Sequence, residues 1–241
     1  MKYIFSDFDG TLTDHDQLSP IFFDILNLVK DYSIPLIIVT GRSKSWAHFL
    51  LTHFNYLDEV ISEGGGVLTT RNNIDYEDIV LIDDKEIKHL EKFTIKLLSK
   101  FQNLRLTTDS FGRYSDRAID LKLLKELNLD NEVESFMKIN NINYSRSSVH
   151  LNFWSGEVSK AKAVSAFINE NNIKMENCIY FGDAKNDESM FKYFENTVGV
   201  SNIKNVLNKM SFHPKVILTG NENRGPYGVY NFLKKRVLEL L

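Results

Sequence analysis

Three stretches of the chain are apolar at consecutive positions and then end abruptly in polar residues. They are "YIFSD" at residues 3–7, "LIIVTG" at 36–41 and "CIYFGD" at 178–183. A strand with one wet face alternates apolar and polar side chains. A strand that does not alternate is buried on both faces, and such strands occur in parallel sheets covered by helices on each side. Parallel neighbours need long crossovers, and helical patterns stand where crossovers are needed. "SPIFFDILNLVKDY" carries Ile21, Ile25, Leu28 and Val29 on one stripe, with Ser19 at the N-cap and Pro20 at the first helical position. "SKSWAHFLLTHF" and "DESMFKYF" read as further helices, and "GPYGVYNFLKKRVLEL" as a closing one. "EVISEGGGVLTT" reads as strand, turn, strand, and "NTVGVS" and "KVILTG" as strands. The expected fold class is α/β, a doubly wound, mostly parallel sheet.

The middle of the chain follows another pattern. "KEIKHLEKFTIKLLSKF" has Ile87, Leu90, Phe93, Leu97, Leu98 and Phe101 at helical spacing. "LRLTT" alternates as a half-buried strand would, and "AIDLKLLKELNLDNEVESFMKINN" reads as one or two helices. "SVHLNFWSG" alternates too, with Val149, Leu151 and Phe153 on one face and His150, Asn152 and Trp154 on the other. Residues 83–155 are therefore expected to form a small α+β unit inserted into a core made of 1–82 and 156–241.

A net charge of -3 argues against broad electrostatic binding to nucleic acid. No run reaches the roughly 18 apolar residues of a membrane span. "MKYIFSDFDG" has no uninterrupted apolar segment of a secretory signal, so a soluble cytoplasmic protein is expected. Cys178, the single cysteine, can form no internal disulfide and reads as a buried structural thiol.

In an open parallel sheet, ligands bind outside the carboxyl ends of the strands. Asp7, Thr40 and Asp183 end three such strands, so the fold would bring them to one rim. Any one of them alone is accounted for by a turn or a helix cap. Asp7 and Asp9 do not open a calcium loop, because Leu12 and Leu18 stand where its Gly and Glu belong. "SEGGGVL" is no P-loop, because no Gly-Lys-Ser/Thr follows. In "GDAKND", the start of a helix explains Asp187 well and Asp183 less well. Lys160 stands in the first turn of the helix read from "SGEVSKAKAVSAFINENN", the end where the macrodipole disfavours a cation. It is either a solvated surface lysine or a counter-charge for carboxylates and an anionic ligand.

"DFDGTLT", "VTGR", "VSKAKA" and "GDAKND", in this order, resemble the four motifs of the haloacid dehalogenase superfamily of phosphatases. The insertion resembles that superfamily's second cap type. The nearest branch is that of the Cof-like hydrolases and the sucrose-phosphate, trehalose-phosphate and mannosyl-3-phosphoglycerate phosphatases. "NENRGPYGVYNFLKK" is similar to that branch's closing loop and helix. The chain departs from it at Ala161, where a glycine often follows the motif lysine, and at "SEGGG", where Asn-Gly-Ala is common.

The resemblance implies a Rossmann-like core carrying a cap that sets substrate specificity. It implies Asp7 as the nucleophile on phosphorus and Asp9 as the acid and then the base. An aspartate at that second position goes with phosphatases and phosphomutases, and a threonine with ion-pumping ATPases. Mg²⁺ is implied as cofactor, held by the Asp7 carboxylate, the Asp9 backbone carbonyl and Asp183, with Asp187 a further ligand or a partner that orients the others. Lys160 would offset negative charge, and Thr40 and the Gly41 N–H would bind phosphate oxygens. Some of Arg105, Arg113, Arg117, His150 and Asn152 in the insertion would contact the leaving group. The expected activity is hydrolysis of a small phosphate ester, in particular a sugar phosphate. A phosphomutase and a non-catalytic phosphosugar-binding module on the same core are the alternatives.

Overall fold

The computed structural model describes residues 2–14, 17–72, 75–146 and 150–238. The first part of the chain forms β1 (Tyr3–Ser6), α1 (Pro20–Asp31), β2 (Leu36–Val39), α2 (Lys44–His53), β3 (Glu59–Ser62), β4 (Val67–Asn72) and β5 (Asp75–Val80). Then come α3 (Asp84–Lys100), β6 (Asp116–Asp120), α4 (Leu121–Glu126), α5 (Asp130–Ile139), β7 (Asn143–Arg146) and β8 (His150–Trp154). The last part forms α6 (Lys160–Glu170), β9 (Cys178–Gly182), α7 (Glu188–Tyr193), β10 (Thr197–Gly199), β11 (Val216–Ile217) and α8 (Gly225–Leu238).

Eight strands make one sheet in the order β11-β10-β9-β1-β2-β3-β4-β5. Pairing is parallel from β11 to β3 and antiparallel from β3 through β5. The fold is α/β with a largely parallel sheet. After β1 the chain adds strands on one side and later returns to add β9 on the other. The switch in strand order therefore falls between β1 and β9, where such a sheet opens a crevice at its carboxyl edge. The register pairs Ser6 with Phe181, and the Asp7 N–H donates to the Phe181 carbonyl at 2.9 Å. Asp7 and Asp183 thus leave the sheet side by side.

The absence of alternation in the central strands has the expected cause. Ile4, Ile38 and Phe181 pack on one layer with Phe22, Ile25, Leu50 and Val229. Their neighbours Phe5, Ile37, Val39 and Tyr180 pack on the opposite layer with Val164, Phe167 and Phe191. Each such fully buried side chain contributes about 1.5–3 kcal/mol. Cys178 is buried, and burial pushes its thiol up to about 11.

Between β5 and α6 the chain builds a separate antiparallel sheet in the order β6-β8-β7. Its core joins Leu90, Phe93 and Leu97 of α3 to Ile119, Val133, Met137, Leu151 and Phe153. Among the described residues, no helix is long and apolar enough to cross a membrane.

Two local expectations are corrected. "LRLTT" forms no strand; in this stretch the Thr107 N–H donates to the Ala118 carbonyl, and a 3-10 turn follows at Thr108–Gly112. The strand in that place is β6, whose "AID" reads as the start of a helix. Asp120 divides the two elements, because its side chain accepts from the Lys122 N–H and caps α4. At α1, Ser19 does hold the N-cap position, but its side chain makes no cap hydrogen bond and its buried Oγ has no partner among the described residues. Val149 lies outside the described residues, while Leu151 and Phe153 are buried as the alternation predicts.

Candidate active site

Asp7, Asp183 and Asp187 offer carboxylate oxygens that all lie within 4.8 Å of one another at the carboxyl ends of β1 and β9. The Lys160 ammonium enters this group from the first turn of α6 and donates to Asp7 Oδ1 at 2.5 Å and Asp187 Oδ1 at 2.7 Å. Its side chain is only 2% exposed, so it is no surface lysine. The helix tolerates a cation in its first turn because Ser159 caps the Lys162 N–H and two carboxylates surround the ammonium. Asp187 is fully engaged. Its Oδ1 also accepts from the Tyr180 hydroxyl at 2.5 Å, and its Oδ2 accepts from the N–H groups of Asp183 and Ala184 at 2.9 and 3.0 Å.

Two buried carboxylates share one ammonium, the half-buried Asp183 stands beside them, and the group is short of positive charge. Burial drives the Asp7 carboxyl well above the usual range; Lys160 opposes this, and the charges of Asp187 and Asp183 add to it. Asp183 is pushed up to about 7, first by burial and then by Asp187. The same carboxylates hold Lys160 above the ordinary lysine value against the effect of burial. A hard divalent cation is what an all-oxygen, electron-rich set of this kind fits. The Lys160 ammonium bonds to Oδ1 of Asp7, and the Asp183 carboxyl is the other group hydrogen-bonded to the Asp7 carboxylate.

Asp9 lies outside this group. Arg42 grips its carboxylate with both arms, Nε to Oδ2 at 2.8 Å and Nη2 to Oδ1 at 2.6 Å, while its guanidinium lies 5.0 Å from the Trp46 ring centre. Gly10 lets the chain turn here: its φ is +80°, and a Cβ there would lie 2.5 Å from Asp183 Oδ2. The loop after β2 has its carbonyls tied back. Those of Thr40, Gly41 and Arg42 accept from Gly64 N–H, Arg113 Nη1 and Glu63 N–H in turn. Thr40 Oγ1 accepts from the Arg42 N–H at 3.0 Å. Among the described residues the Gly41 N–H has no partner. The loop precedes α2 by several residues, so its donors belong to the loop and not to the helix terminus.

Residues 4–109 and 77–233 match the family profile of the haloacid dehalogenase-like hydrolases. The chain belongs to this family. The phosphoglycolate phosphatase of Methanobrevibacter smithii is 28% identical over 210 residues, covering 85% of this chain and 88% of that protein. The glucosyl-3-phosphoglycerate/mannosyl-3-phosphoglycerate phosphatase of Methanococcoides burtonii is 25% identical over 226 residues, covering 80% and 82%. A haloacid dehalogenase-like hydrolase from Bacteroides thetaiotaomicron shares the fold with a TM-score of 0.74 at 18% identity, over 98% of this chain and 99% of that one. A HAD/COF-like hydrolase from Plasmodium vivax does so with a TM-score of 0.74 at 20% identity, over 100% and 96%. The Methanobrevibacter and Methanococcoides relatives are both named phosphatases, and this chain is a hydrolase of the same family.

In this hydrolase the five residues expected to meet the leaving group are placed very differently. Arg113 is 7% exposed and closed into ion pairs with Asp109 and Asp116 besides its bond to the Gly41 carbonyl. Arg117 donates to the backbone carbonyls of Arg113, Tyr114 and Asp116. Asn152 donates to Asp116 Oδ2 at 3.1 Å. His150 is half-buried; burial and then the Arg113 charge lower its pKa. Arg105 is exposed.

Several residues of this centre were not singled out from the sequence. Arg42 stands inside the quoted "VTGR" motif. Glu63 and Asn202 follow β3 and β10 as Thr40 and Asp183 follow β2 and β9, so the polar-end rule reaches them too. Glu63 accepts from the N–H groups of Lys44, Tyr114 and Ser115 and from the Ser115 hydroxyl, joining the inserted unit to the core.

Proposed function

We propose that this hydrolase is a Mg²⁺-dependent phosphatase of a small phosphorylated metabolite, working through an aspartyl phosphate. The observation that carries the reading is the meeting of Asp7, Asp183 and Asp187 beside Lys160, whose ammonium bonds to Asp7 through Oδ1. Uncatalysed phosphate monoester hydrolysis is extremely slow, and covalent catalysis divides it into two displacements. Asp7 Oδ2 attacks phosphorus as the bond to the leaving oxygen breaks, and Asp9 delivers its proton to that oxygen. Asp9 then takes a proton from water, whose oxygen bonds to phosphorus as the acyl-phosphate bond breaks and Asp7 is regenerated. Arg42 orients the Asp9 carboxylate between these roles. Lys160 holds Asp7 in place and offsets charge, and Thr40 and the Gly41 N–H receive phosphate oxygens. Asp7, Asp183 and the Asp9 carbonyl would hold Mg²⁺, with Asp187 as a further ligand or orienting partner, and the ion would supply positive charge beside the phosphoryl oxygens.

Residues 83–155 act, in this reading, as a cap over the site. Of the five cap residues, the exposed Arg105 and the half-buried His150 are the ones proposed to meet a leaving group. The curated relatives named above are phosphatases of phosphoglycolate and of glycosyl-3-phosphoglycerates, whose substrates carry a carboxylate close to the phosphate. The substrate class is a small phosphorylated hydroxy acid or a sugar phosphate. A panel of both, assayed for free phosphate with and without Mg²⁺, tests the reading. Mg²⁺-dependent release that vanishes in Asp7→Asn supports it; isomerisation without phosphate release, or no turnover on the panel, overturns it.

A further inference from the structure

Asp183 has both carboxylate oxygens engaged by neutral donors. Thr11 Oγ1 donates to Oδ1 at 3.1 Å, and Asn202 Nδ2 donates to Oδ2 at 2.6 Å. Asn202 lies in the 3-10 turn Ser201–Asn205 that follows β10. Its amide reaches in three directions. Nδ2 also donates to the Gly10 carbonyl at 3.0 Å, and Oδ1 accepts from the Gly225 N–H at 2.9 Å. These partners fix the amide's orientation, because only its oxygen can face an N–H and only its NH₂ can face two acceptors. Gly225 has φ +49°, and a Cβ there would come 3.0 Å from the Thr13 carbonyl, so the start of α8 lies against the Gly10–Thr13 turn. One side chain thus ties together the turn after β1, the end of β9 and the beginning of α8.

We infer that Asn202 is a positioning residue for the divalent cation: it fixes the Asp183 carboxylate against the turn that carries Asp7 and Asp9, so that the ligand set is formed before the cation arrives. The inference rests on the Mg²⁺ reading above. Asp7 and Asp187 repel a charged Asp183, and an unheld carboxylate would turn away from them. A lysine or arginine in the place of Asn202 would hold it but cancel the charge that attracts the cation. An amide holds it and leaves that charge intact. Each carboxylate oxygen has two lone-pair directions, so one bond from a neutral donor does not prevent ligation.

Asn202→Ala removes both polar functions, and the near-isosteric Asn202→Leu does so while keeping the volume should the alanine variant fail to fold. Mn²⁺ and Mg²⁺ are titrated by calorimetry into wild type and variants at one pH. The Mg²⁺ dependence of kcat is measured on a phosphate ester, with the metal-free melting temperature as the control for folding. The expected result is a loss of cation affinity of about 10–100-fold. Raised Mg²⁺ then restores kcat to within a few-fold, with little change in KM for the ester. Equal cation affinity in wild type and variants, or kcat lost alike at every Mg²⁺ concentration, overturns the inference and leaves the Mg²⁺ reading standing. A wild-type protein that binds neither cation overturns that reading and the inference with it.

Discussion

The cluster around Lys160 and the cluster around Arg113 have the same formal charges, three carboxylates and one cation. Asp7, Asp183 and Asp187 surround the lysine, while Asp109, Asp116 and Glu63 gather about the arginine and its neighbours. Their difference is in donors. Glu63 takes three N–H groups and a hydroxyl, and Asp109 takes Ser43 Oγ and the Arg113 fork. Asp109 resists the effect of partial burial, and these bonds hold its carboxyl below the usual range. Asp7, with Lys160 bonded to it, is driven well above that range by burial, and Asp116 of the second cluster is raised too, to about 6, also by burial. Charge count therefore does not separate a reactive cluster from a structural one. In the proposed reading the distinction lies at Asp7, where one ammonium bonds to one carboxylate oxygen: the second cluster ties the Thr108–Gly112 turn and β6 to the loop after β2, and Asp7 would meet phosphorus and a cation.

The largest effect expected is in activity at the first cluster. Asp7→Asn should lower kcat by about 10⁴-fold or more, because an amide is a poor nucleophile. It should not lower the melting temperature, since it removes one of three crowded carboxylates and leaves Lys160 paired with Asp187. The second cluster should behave in the opposite way. Arg113→Met strands Asp109 and Asp116, and breaking a buried pair on one side costs about 3–5 kcal/mol. Urea unfolding measures that loss. An Asp7→Asn protein as destabilised as Arg113→Met would end the distinction between the two clusters.

The same contrast explains what could be read from the sequence. The doubly wound sheet was legible because burial on both faces leaves unbroken apolar runs, and Asp7, Thr40 and Asp183 were legible because topology puts strand ends on one rim. β5 was not, because this edge strand, "DYEDIV", is polar and half exposed along its length. β6 was not, because "DRAID" runs without a break into a helix and only the Asp120 cap divides them. Lys160 could be weighed but not decided, since its burial depends on carboxylates 153 and 27 residues away. Arg113 illustrates the converse. A sequence shows an arginine in the inserted segment, but it does not show the acidic partners that the Thr108–Gly112 turn and the start of β6 bring to it, Asp109 and Asp116.

A smaller effect sharpens the account of the first cluster through its response to pH. The folded-state pKa of Asp183, about 7, lies above the model-compound value of 3.8. A raised acid of this kind favours the folded state most below about pH 4, and that contribution is lost as pH rises through 7. Without a cation, the crowded carboxylates therefore cost increasing stability between roughly pH 4 and 7. Protons and cation compete for the same oxygens. Saturating Mg²⁺ should raise the melting temperature more at pH 8 than at pH 5.5. Other titrating groups cancel in that difference, so calorimetric melting scans with and without Mg²⁺ isolate the cluster. An equal shift at both pH values would mean that the cation binds elsewhere.

The smallest effect on stability is expected at Arg42, whose pair with Asp9 belongs to neither plan. Both side chains are about a third exposed, at 29% and 32%, so solvent screens the pair and its contribution to stability is about 0–1 kcal/mol. Its value lies in direction: a two-armed guanidinium, braced on Trp46, fixes where the Asp9 carboxylate points. Arg42→Lys keeps the charge but loses the fork. It should leave urea unfolding within about 0.5 kcal/mol of wild type and lower kcat by roughly 10-fold or more, the range lost when proton transfer by a positioned group is disturbed. The loss should be greater for esters of poorly acidic alcohols than for a nitrophenyl ester, whose leaving group needs no proton. A uniform loss across leaving groups would place Arg42 on the phosphate instead of on the acid.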